Sequence, residues 1–175
     1  MKGIVRDIVA SLIVVIITFA GCQFTVQQYR IQQVSMLPNL EEGQRIFVNK
    51  VVYLLHKPER GDIIVFKPQD STNDIPLIKR IIGLPGETVE IKIGVVYVNG
   101  SPLEEFYVEE LPRYTLKPFV VPAEHYFVLG DNRNNSRDSH EGWTVPETDI
   151  LGKAWVSIWP PEKWGPFPHY AYASE

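Results

Sequence analysis

The sequence predicts an all-β fold, in which antiparallel sheets form an open barrel-like domain that follows one N-terminal transmembrane helix. After residue 30, β-branched and aromatic residues occur in short runs separated by turn signals, and no long segment has helical periodicity. Before residue 30, residues 8–29 carry no charge. These patterns divide the chain into an N-terminus at 1–7, an anchor at 8–29 and a β-domain at 30–175.

The anchor is predicted from Ile8 to Tyr29, since a membrane span needs about 20 apolar residues. Lys2 and Arg6 precede it, which favours a cytoplasmic N-terminus and an extracytoplasmic β-domain. The strongly apolar part is also short enough for a cleaved signal peptide. A third reading is a lipoprotein site, because Phe19-Ala-Gly-Cys resembles a cleavage site before an acylated Cys22. A retained anchor is the favoured interpretation.

The β-domain begins with extended chain from Arg30, which brings Ser35 within at most about 17 Å of the anchor. Asn99-Gly100, directly after a run of four β-formers, is the clearest hairpin turn. Residues 94–117 are rich in acidic and turn residues and predict a small β excursion. The predicted strands are Arg45–Leu55, Asp62–Phe66, Leu77–Ile82, Thr88–Ile93, Val95–Val98, Thr115–Val121, His125–Leu129 and Ile150–Trp159.

Composition excludes several classes of function. A net charge of −4 without a basic cluster argues against nucleic acid as a partner. The single cysteine excludes an internal disulfide, and the scattered histidines give no zinc pattern. A calcium loop starting at Asp131 is disfavoured because its sixth residue is Ser136 and its twelfth is Gly142. No metal or organic cofactor is therefore predicted.

Lys79 interrupts an apolar, strand-like run that ends in a Pro-Gly turn. If its face of the strand is buried, desolvation lowers its pKa from a reference of about 10.4, and a neutral amine can act as a general base. The alternative is that Lys79 and Arg80 lie on a solvated edge. Ser35, in Ser-Met-Leu-Pro, is a candidate nucleophile only if such a base lies beside it.

Four stretches together resemble, in order, the conserved boxes of type I signal peptidases. They are Ser35-Met-Leu-Pro-Asn-Leu, Arg60-Gly-Asp-Ile-Ile-Val-Phe, Leu77-Ile-Lys-Arg-Ile-Ile-Gly-Leu-Pro-Gly and Gly130-Asp-Asn-Arg-Asn-Asn-Ser-Arg-Asp-Ser. The likeness covers about residues 31–159. It implies a membrane-anchored serine endopeptidase that cleaves signal peptides from exported preproteins after small residues, with a Ser/Lys dyad and no cofactor.

The resemblance also implies a role for individual residues. Ser35 would be the nucleophile and Lys79 the general base, Ser136 would hold the lysine amine by a hydrogen bond, and Asp138 would support the site through its loop. The Ser35 backbone amide would form half of the oxyanion hole, and Gln33 stands where many relatives supply a Ser or Thr hydroxyl as the other half. The implied walls of the substrate pocket are Ile31, Met36, Leu40, Leu77 and Ile78.

An extended substrate is expected to add as a strand between residues 31–35 and 77–79. Two other functions remain open at this stage. Asp138 and His140, the latter in place of a frequent Arg, could serve Ser35 or Ser139 as a different serine hydrolase. The chain could also be a non-enzymatic, membrane-tethered domain that binds peptides.

Overall fold

Two antiparallel β-sheets make up the chain after its N-terminal helix in a computed structural model that describes residues 2–68, 75–168, 170 and 172. The predicted antiparallel β fold is confirmed. The helices are α1 (Lys2–Thr25) and α2 (Val52–Leu55). The strands are β1 (Val26–Arg30), β2 (Arg45–Asn49), β3 (Ile63–Phe66), β4 (Leu77–Gly83), β5 (Thr88–Lys92), β6 (Val95–Val98), β7 (Ser101–Pro102), β8 (Leu116–Val120), β9 (His125–Leu129), β10 (Val145–Pro146), β11 (Ile150–Trp159) and β12 (Gly165–Pro166).

The larger sheet has the strand order β1-β2-β11-β3-β4-β9-β10, with β12 paired to β11. Its central strands β3 and β4 are buried on both faces, so their sequences are apolar without interruption except at Lys79 and Arg80. Ile64 and Phe66 pack in one core cluster, whereas Ile63 and Val65 pack in another. This division follows the two-residue period of a strand and separates the faces of β3 and β4.

The smaller sheet has the strand order β7-β6-β5-β8. It begins at Thr88 and ends at Val120, so it is wider than the excursion predicted at 94–117. Asn99 and Gly100 form the turn between β6 and β7 with φ values of 51° and 86°, as the Asn-Gly signal predicts. Its apolar face packs against Ile82, Phe127 and Leu129 of the larger sheet.

The N-terminal helix ends at Thr25, four residues before the predicted end of the anchor. Residues 26–30 instead pair with β2, in a register that places Val26 opposite Asn49. The amide of Lys50 donates to the carbonyl of Thr25 at 2.9 Å, which fixes the junction between helix and sheet. The Cys22 side chain, on which acylation would depend, lies outside the described side chains.

None of the helices in the described residues combines the length and the apolarity that are needed to cross a membrane.

The predicted strand from Arg45 to Leu55 is wrong in its second half. It ends at Asn49, whose side-chain oxygen accepts hydrogen bonds from the amides of Val51 and Val52 at 3.0 and 3.1 Å. An Asn side chain that bonds its own following backbone favours a turn over continued pairing, and α2 follows it. The two-residue strands β7, β10 and β12 had no sequence signal, because each contains a proline.

Candidate active site

Ser35 and Lys79 lie side by side, although 44 residues separate them in sequence. Lys79 Nζ donates a hydrogen bond to Ser35 Oγ at 2.7 Å. Both residues are buried, with relative exposures of 1% for Lys79 and 6% for Ser35. The predicted alternative of a solvated edge is therefore wrong for Lys79.

The surroundings of Lys79 favour its neutral form. Its amine makes one other hydrogen bond, to the carbonyl of Ile78 at 3.0 Å, and its strand partner is the buried Ile64. Burial lowers the pKa of Lys79 to about 8, against the opposing charges of Asp138 and Asp131. A substantial fraction of the amine is then unprotonated at mildly alkaline pH, which a general base requires.

The turn that carries Ser35 is fixed on both sides by backbone pairing and by the core. The Ile31 amide donates to the Gln44 carbonyl and the Gly43 amide to the Ile31 carbonyl, both at 2.8 Å. Met36, the next residue after Ser35, is fully buried. Within the described part of the chain the Ser35 amide has no hydrogen-bond acceptor, which leaves it free to donate to an oxyanion.

The loop after β9 forms hydrogen bonds to the turn that carries Ser35. The Asn132 amide donates to the Ser35 carbonyl at 3.0 Å, and the Asn132 side chain donates to the Val34 carbonyl at 3.1 Å. Gly130 approaches so closely that an added Cβ would lie 2.4 Å from the Ser35 carbonyl oxygen and 2.2 Å from Ser136 Oγ. Only glycine fits at this position, so residue 130 controls how near the loop comes to the nucleophile.

Ser136 does not make the predicted hydrogen bond to the lysine amine. Its Oγ is buried and has no hydrogen-bond partner among the described residues. The two oxygens that accept from Lys79 belong instead to Ser35 and Ile78. The Ser136 side chain packs directly against Gly130 of the same loop, but its hydroxyl makes no hydrogen bond to the described residues there.

Asp138 is fully buried and organises the same loop. Its carboxylate accepts from the Gly130 amide at 2.9 Å and from His140 Nδ1 at 2.7 Å. The hydrogen bond to Asp138 raises the pKa of His140, although partial burial opposes the shift. The His140 ring also stacks on Tyr114 with centroids 4.1 Å apart. Asp138 thus connects the loop that holds Ser35 to a titratable histidine.

The alternative hydrolase built on Asp138 and His140 lacks an available serine. Ser139 is fully buried, and its Oγ accepts a hydrogen bond from the Val128 amide at 3.0 Å. Ser35 is hydrogen-bonded to Lys79, and its described contacts do not include His140. The geometry therefore favours lysine over histidine as the base.

A groove of about 580 Å³ opens on Ser35 and Lys79. Of the predicted pocket and oxyanion residues, Gln33 and Leu77 line it. The remaining predicted pocket residues are buried in a core cluster and do not line this groove; they are Ile31, Met36, Leu40 and Ile78. Phe66, Asn135 and Arg137 also line the groove, and they lie in the family-like motifs without having been assigned to the pocket. Trp143 and Val145 line it too, and they had no sequence signal.

A second buried cation lies next to Lys79 on the same strand. Arg80 forms a bidentate ion pair with Asp131, with distances of 2.8 and 2.7 Å, and donates to the Gly61 carbonyl at 3.0 Å. Asn39 also donates to Asp131, at 2.9 Å. Asp131 therefore has a structural partner and lies in the same loop as Asp138. Among the described residues, no group of His, Cys, Asp and Glu is arranged to hold a metal ion.

Comparison with known proteins gives consistent results. The family model described as "Signal peptidase, peptidase S26" matches residues 4–159. Signal peptidase I of Leptolyngbya laminosa is 47% identical over 148 residues, which cover 81% of this chain and 73% of that protein. Probable signal peptidase I-1 of Synechocystis sp. is 42% identical over 168 residues, with coverages of 92% and 86%. Thylakoidal processing peptidase 1 of Arabidopsis thaliana is 40% identical over 143 residues, with coverages of 76% and 42%.

Proposed function

The chain belongs to the signal peptidase family, peptidase S26, and we propose that Ser35 and Lys79 are the residues with which it hydrolyses signal peptides of exported preproteins. The observation that carries the proposal is the 2.7 Å contact between Lys79 Nζ and Ser35 Oγ inside a buried site. As a member of this family the protein is a serine peptidase, and its substrates are preproteins with an N-terminal signal peptide.

The chemistry begins with the neutral amine of Lys79. It takes the proton of the Ser35 hydroxyl as the oxygen attacks the scissile carbonyl, which gives a tetrahedral intermediate. The protonated Lys79 then gives this proton to the leaving nitrogen as the carbon–nitrogen bond breaks and the acyl-enzyme forms, and Lys79 later activates the water that releases the signal peptide. The Ser35 amide donates to the oxyanion, and a donor of this kind is worth about 2.7–4 kcal/mol in the transition state. Gln33 is the proposed second donor.

Two further residues support the dyad in this proposal. Asp138 holds the amide of Gly130, and Gly130 sets the distance between its loop and Ser35. Ser136 is proposed to donate to or accept from the reacting groups only when substrate is bound, since its Oγ is unpartnered in the described structure. Hydrogen bonds of an active site often form only in the substrate complex.

Substrate binding by strand addition is supported by an edge of β4 that has no strand partner among the described residues. Residues 77–80 pair with β3 on one side, whereas pairing with β9 on the other side begins only at Arg80. The edge at Leu77 and Ile78 is therefore open to an extended peptide, which would gain affinity from backbone hydrogen bonds. We propose that Ile31, Met36, Leu40, Leu77 and Ile78 bound the small-residue pocket on the signal-peptide side.

We also propose a single-pass membrane anchor at the N-terminus, with the β-domain on the extracytoplasmic side. The support is the uncharged run that begins at Ile8, preceded by Lys2 and Arg6. The apolar side chains described in α1 are half-exposed or more; they include Ile8, Leu12 and Val15. Extraction of membranes at alkaline pH tests this part: an anchored protein stays in the pellet, whereas release into the supernatant contradicts the anchor.

The decisive experiment is incubation of the detergent-solubilised protein with a preprotein that has Ala before the cleavage site, followed by mass determination of the product. A product that begins directly after the signal peptide is expected. Ser35→Ala should abolish it, whereas Ser101→Ala, a change at an exposed serine, should not. Cleavage by the Ser35→Ala variant would reject the assignment, and no cleavage by the wild type at any pH would favour a peptide-binding domain.

A further inference from the structure

The groove beside the dyad lies on the Lys79 face of β4. Residues opposite one another in an antiparallel pair share a face, so Lys79 lies with Ile64, and Leu77 with Phe66. Phe66 and Leu77 line the groove, and so does Trp143, whose ring lies 6.2 Å from the Phe66 ring. Ile78, whose core cluster includes Met36, points to the opposite face.

This location places the groove on the leaving-group side of the scissile bond. The proposed base must hand its proton to the leaving nitrogen, so the departing chain has to lie on the side of Ser35 where Lys79 stands. In signal-peptide cleavage the departing chain is the mature protein. The part of the groove at Arg137 and Trp143 therefore meets the first residues after the cleavage site, whereas Leu77, which the groove shares with the proposed small-residue pocket, borders the cleavage site itself.

The ionisable side chains that line the described part of the groove are all basic. They are Lys67, Arg137 and the proposed base Lys79, which is neutral when it acts. No carboxylate lines the described part of the groove, in a chain whose net charge is −4. Asp70 and Asp74 lie in sequence near Lys67 but outside the described residues. Arg137 lines the groove together with the two lysines and directly follows Ser136 in the sequence.

Arg137 remains available to a ligand. Among the described residues Arg137 forms an ion pair with Glu141 at 3.4 Å, and both side chains are exposed, at 81% and 42%. Exposed pairs of this kind contribute little and exchange readily with a competing carboxylate. Trp143 meanwhile supplies an apolar wall against which a peptide chain can pack.

We propose that this groove is a binding subsite for the first residues of the released chain, and that Arg137 makes it favour an acidic side chain there. The inference rests on the proposed function and extends it to a second part of the substrate. Selection on this side acts on acylation, because the released chain leaves before the acyl-enzyme is hydrolysed.

The test uses substrates that share one signal peptide and carry Glu, Gln or Lys at each of the first three positions after the cleavage site. The wild type should prefer Glu to Lys by about two- to fivefold in kcat/KM at one position, the size expected for one exposed ion pair. Arg137→Glu should reverse the order, and high salt should narrow the difference. Lys117→Glu, which changes the net charge equally at an exposed site in β8, is the matched control and should leave the preference unchanged.

Equal Glu-to-Lys ratios for the wild type and Arg137→Glu at all three positions would overturn the proposal, as would the same change in the Lys117→Glu control. The Gln substrates separate this failure from that of the proposed function. Cleavage of Gln substrates without charge preference rejects only the subsite, whereas no cleavage of any substrate by the wild type rejects the peptidase assignment itself. Trp143→Ala should lower kcat/KM for all three side chains alike, and an unchanged value would also argue against binding in this groove.

Discussion

Lys79 and Arg80 are neighbours on one strand, both about 1% exposed, and the protein treats their charges in opposite ways. Arg80 faces the carboxylate of Asp131 in a bidentate pair, with the Tyr107 ring 4.0 Å from the guanidinium carbon. Burial opposes its charge, but the hydrogen bond and charge of Asp131 outweigh burial and raise the pKa of Arg80. Among the described residues the Lys79 amine bonds a hydroxyl and a carbonyl rather than a carboxylate, and burial lowers its pKa to about 8.

The difference shows how one strand separates structure from chemistry. A buried cation with a bonded carboxylate stays charged and orders the chain around it, whereas a buried amine without one loses its proton easily. The two-residue period of a strand places these environments on opposite faces within 3.8 Å of backbone. The residue types fit the roles, because a guanidinium stays charged at any physiological pH and an ammonium does not.

Removal of the reacting groups of Ser35 or Lys79 should have the largest effect on activity. Ser35→Ala and Lys79→Met should each lower kcat/KM by about 10⁴-fold or more, because nucleophile and base act as a unit. Lys79→Arg should be equally inactive, since it introduces a cation that cannot act as a base. Cleavage kinetics on a preprotein measure this, with Lys117→Met as control. A Lys79→Met variant that retains one tenth of wild-type activity would contradict the dyad.

Stability should respond to the two cations with opposite signs. Arg80→Met leaves the Asp131 carboxylate buried and unpaired, and we expect a loss of about 3–5 kcal/mol in the free energy of unfolding. Lys79→Met removes a desolvated amine and should raise the free energy of unfolding by about 1–3 kcal/mol near pH 7. Denaturant titration measures both. The double change Arg80→Met/Asp131→Leu should cost less than Arg80→Met alone, and a larger cost would show that packing dominates over charge.

The pH dependence sharpens the contrast, because of the two buried cations only Lys79 titrates near neutrality. Below pH 8, kcat/KM should rise about tenfold per pH unit and then level off above the Lys79 pKa of about 8. The folded-state pKa lies below the unfolded value, so the unfolded chain binds more protons between about 8 and 10.5, and stability rises with pH in that window.

Asp138→Asn tests whether the rise of kcat/KM with pH is caused by the titration of Lys79. The Asp138 carboxylate raises the pKa of Lys79 against the effect of burial, so removing its charge should move the rise in kcat/KM to lower pH. The Asn side chain can still accept from the Gly130 amide, which preserves the loop contact. A profile that stays in place or moves to higher pH would assign the titration to another group.

The sequence predicted most of the framework because local signals and burial agree there. Short runs of β-branched and aromatic residues bounded by Gly and Pro located β3, β5, β6 and β9 to within two residues. The end of α1 was different: Val26 to Tyr29 continues the uncharged run of the predicted anchor, so only its long-range pairing with β2 identifies it as a strand. A register between distant segments leaves no local trace in the sequence.

The site was predictable in its chemistry but less so in its shape. The lysine in an apolar strand and the serine before a proline were visible as residue types, and family resemblance joined them. The groove was not, since Trp143 and Arg137 reach it through the loop after β9 and follow no spacing rule. The sequence also did not predict that the Ser136 hydroxyl lacks a hydrogen-bond partner among the described residues, because this depends on how closely Gly130 packs against it.

A second buried carboxylate, Asp138, provides the test with the smallest expected effect, because its partner His140 loses its charge as pH rises. The hydrogen bond to Asp138 raises the pKa of His140, so the pair stabilises the fold fully below about pH 6.5 and less as pH rises through the raised value. His140→Arg keeps the charge at every pH and should increase the free energy of unfolding by about 0.5 kcal/mol at pH 9 but not at pH 5.5, since the ring is partly exposed.

His140→Asn is the matched control, because it lacks the charge throughout and should be less stable than the wild type only at pH 5.5. Equal stability differences at both pH values would mean that stacking on Tyr114, rather than charge, holds His140 in place. The wild-type protein loses the cation beside Asp138 as pH rises toward the range in which Lys79 becomes neutral. A variant with a permanent charge separates the two titrations, and its kcat/KM profile should then report Lys79 alone.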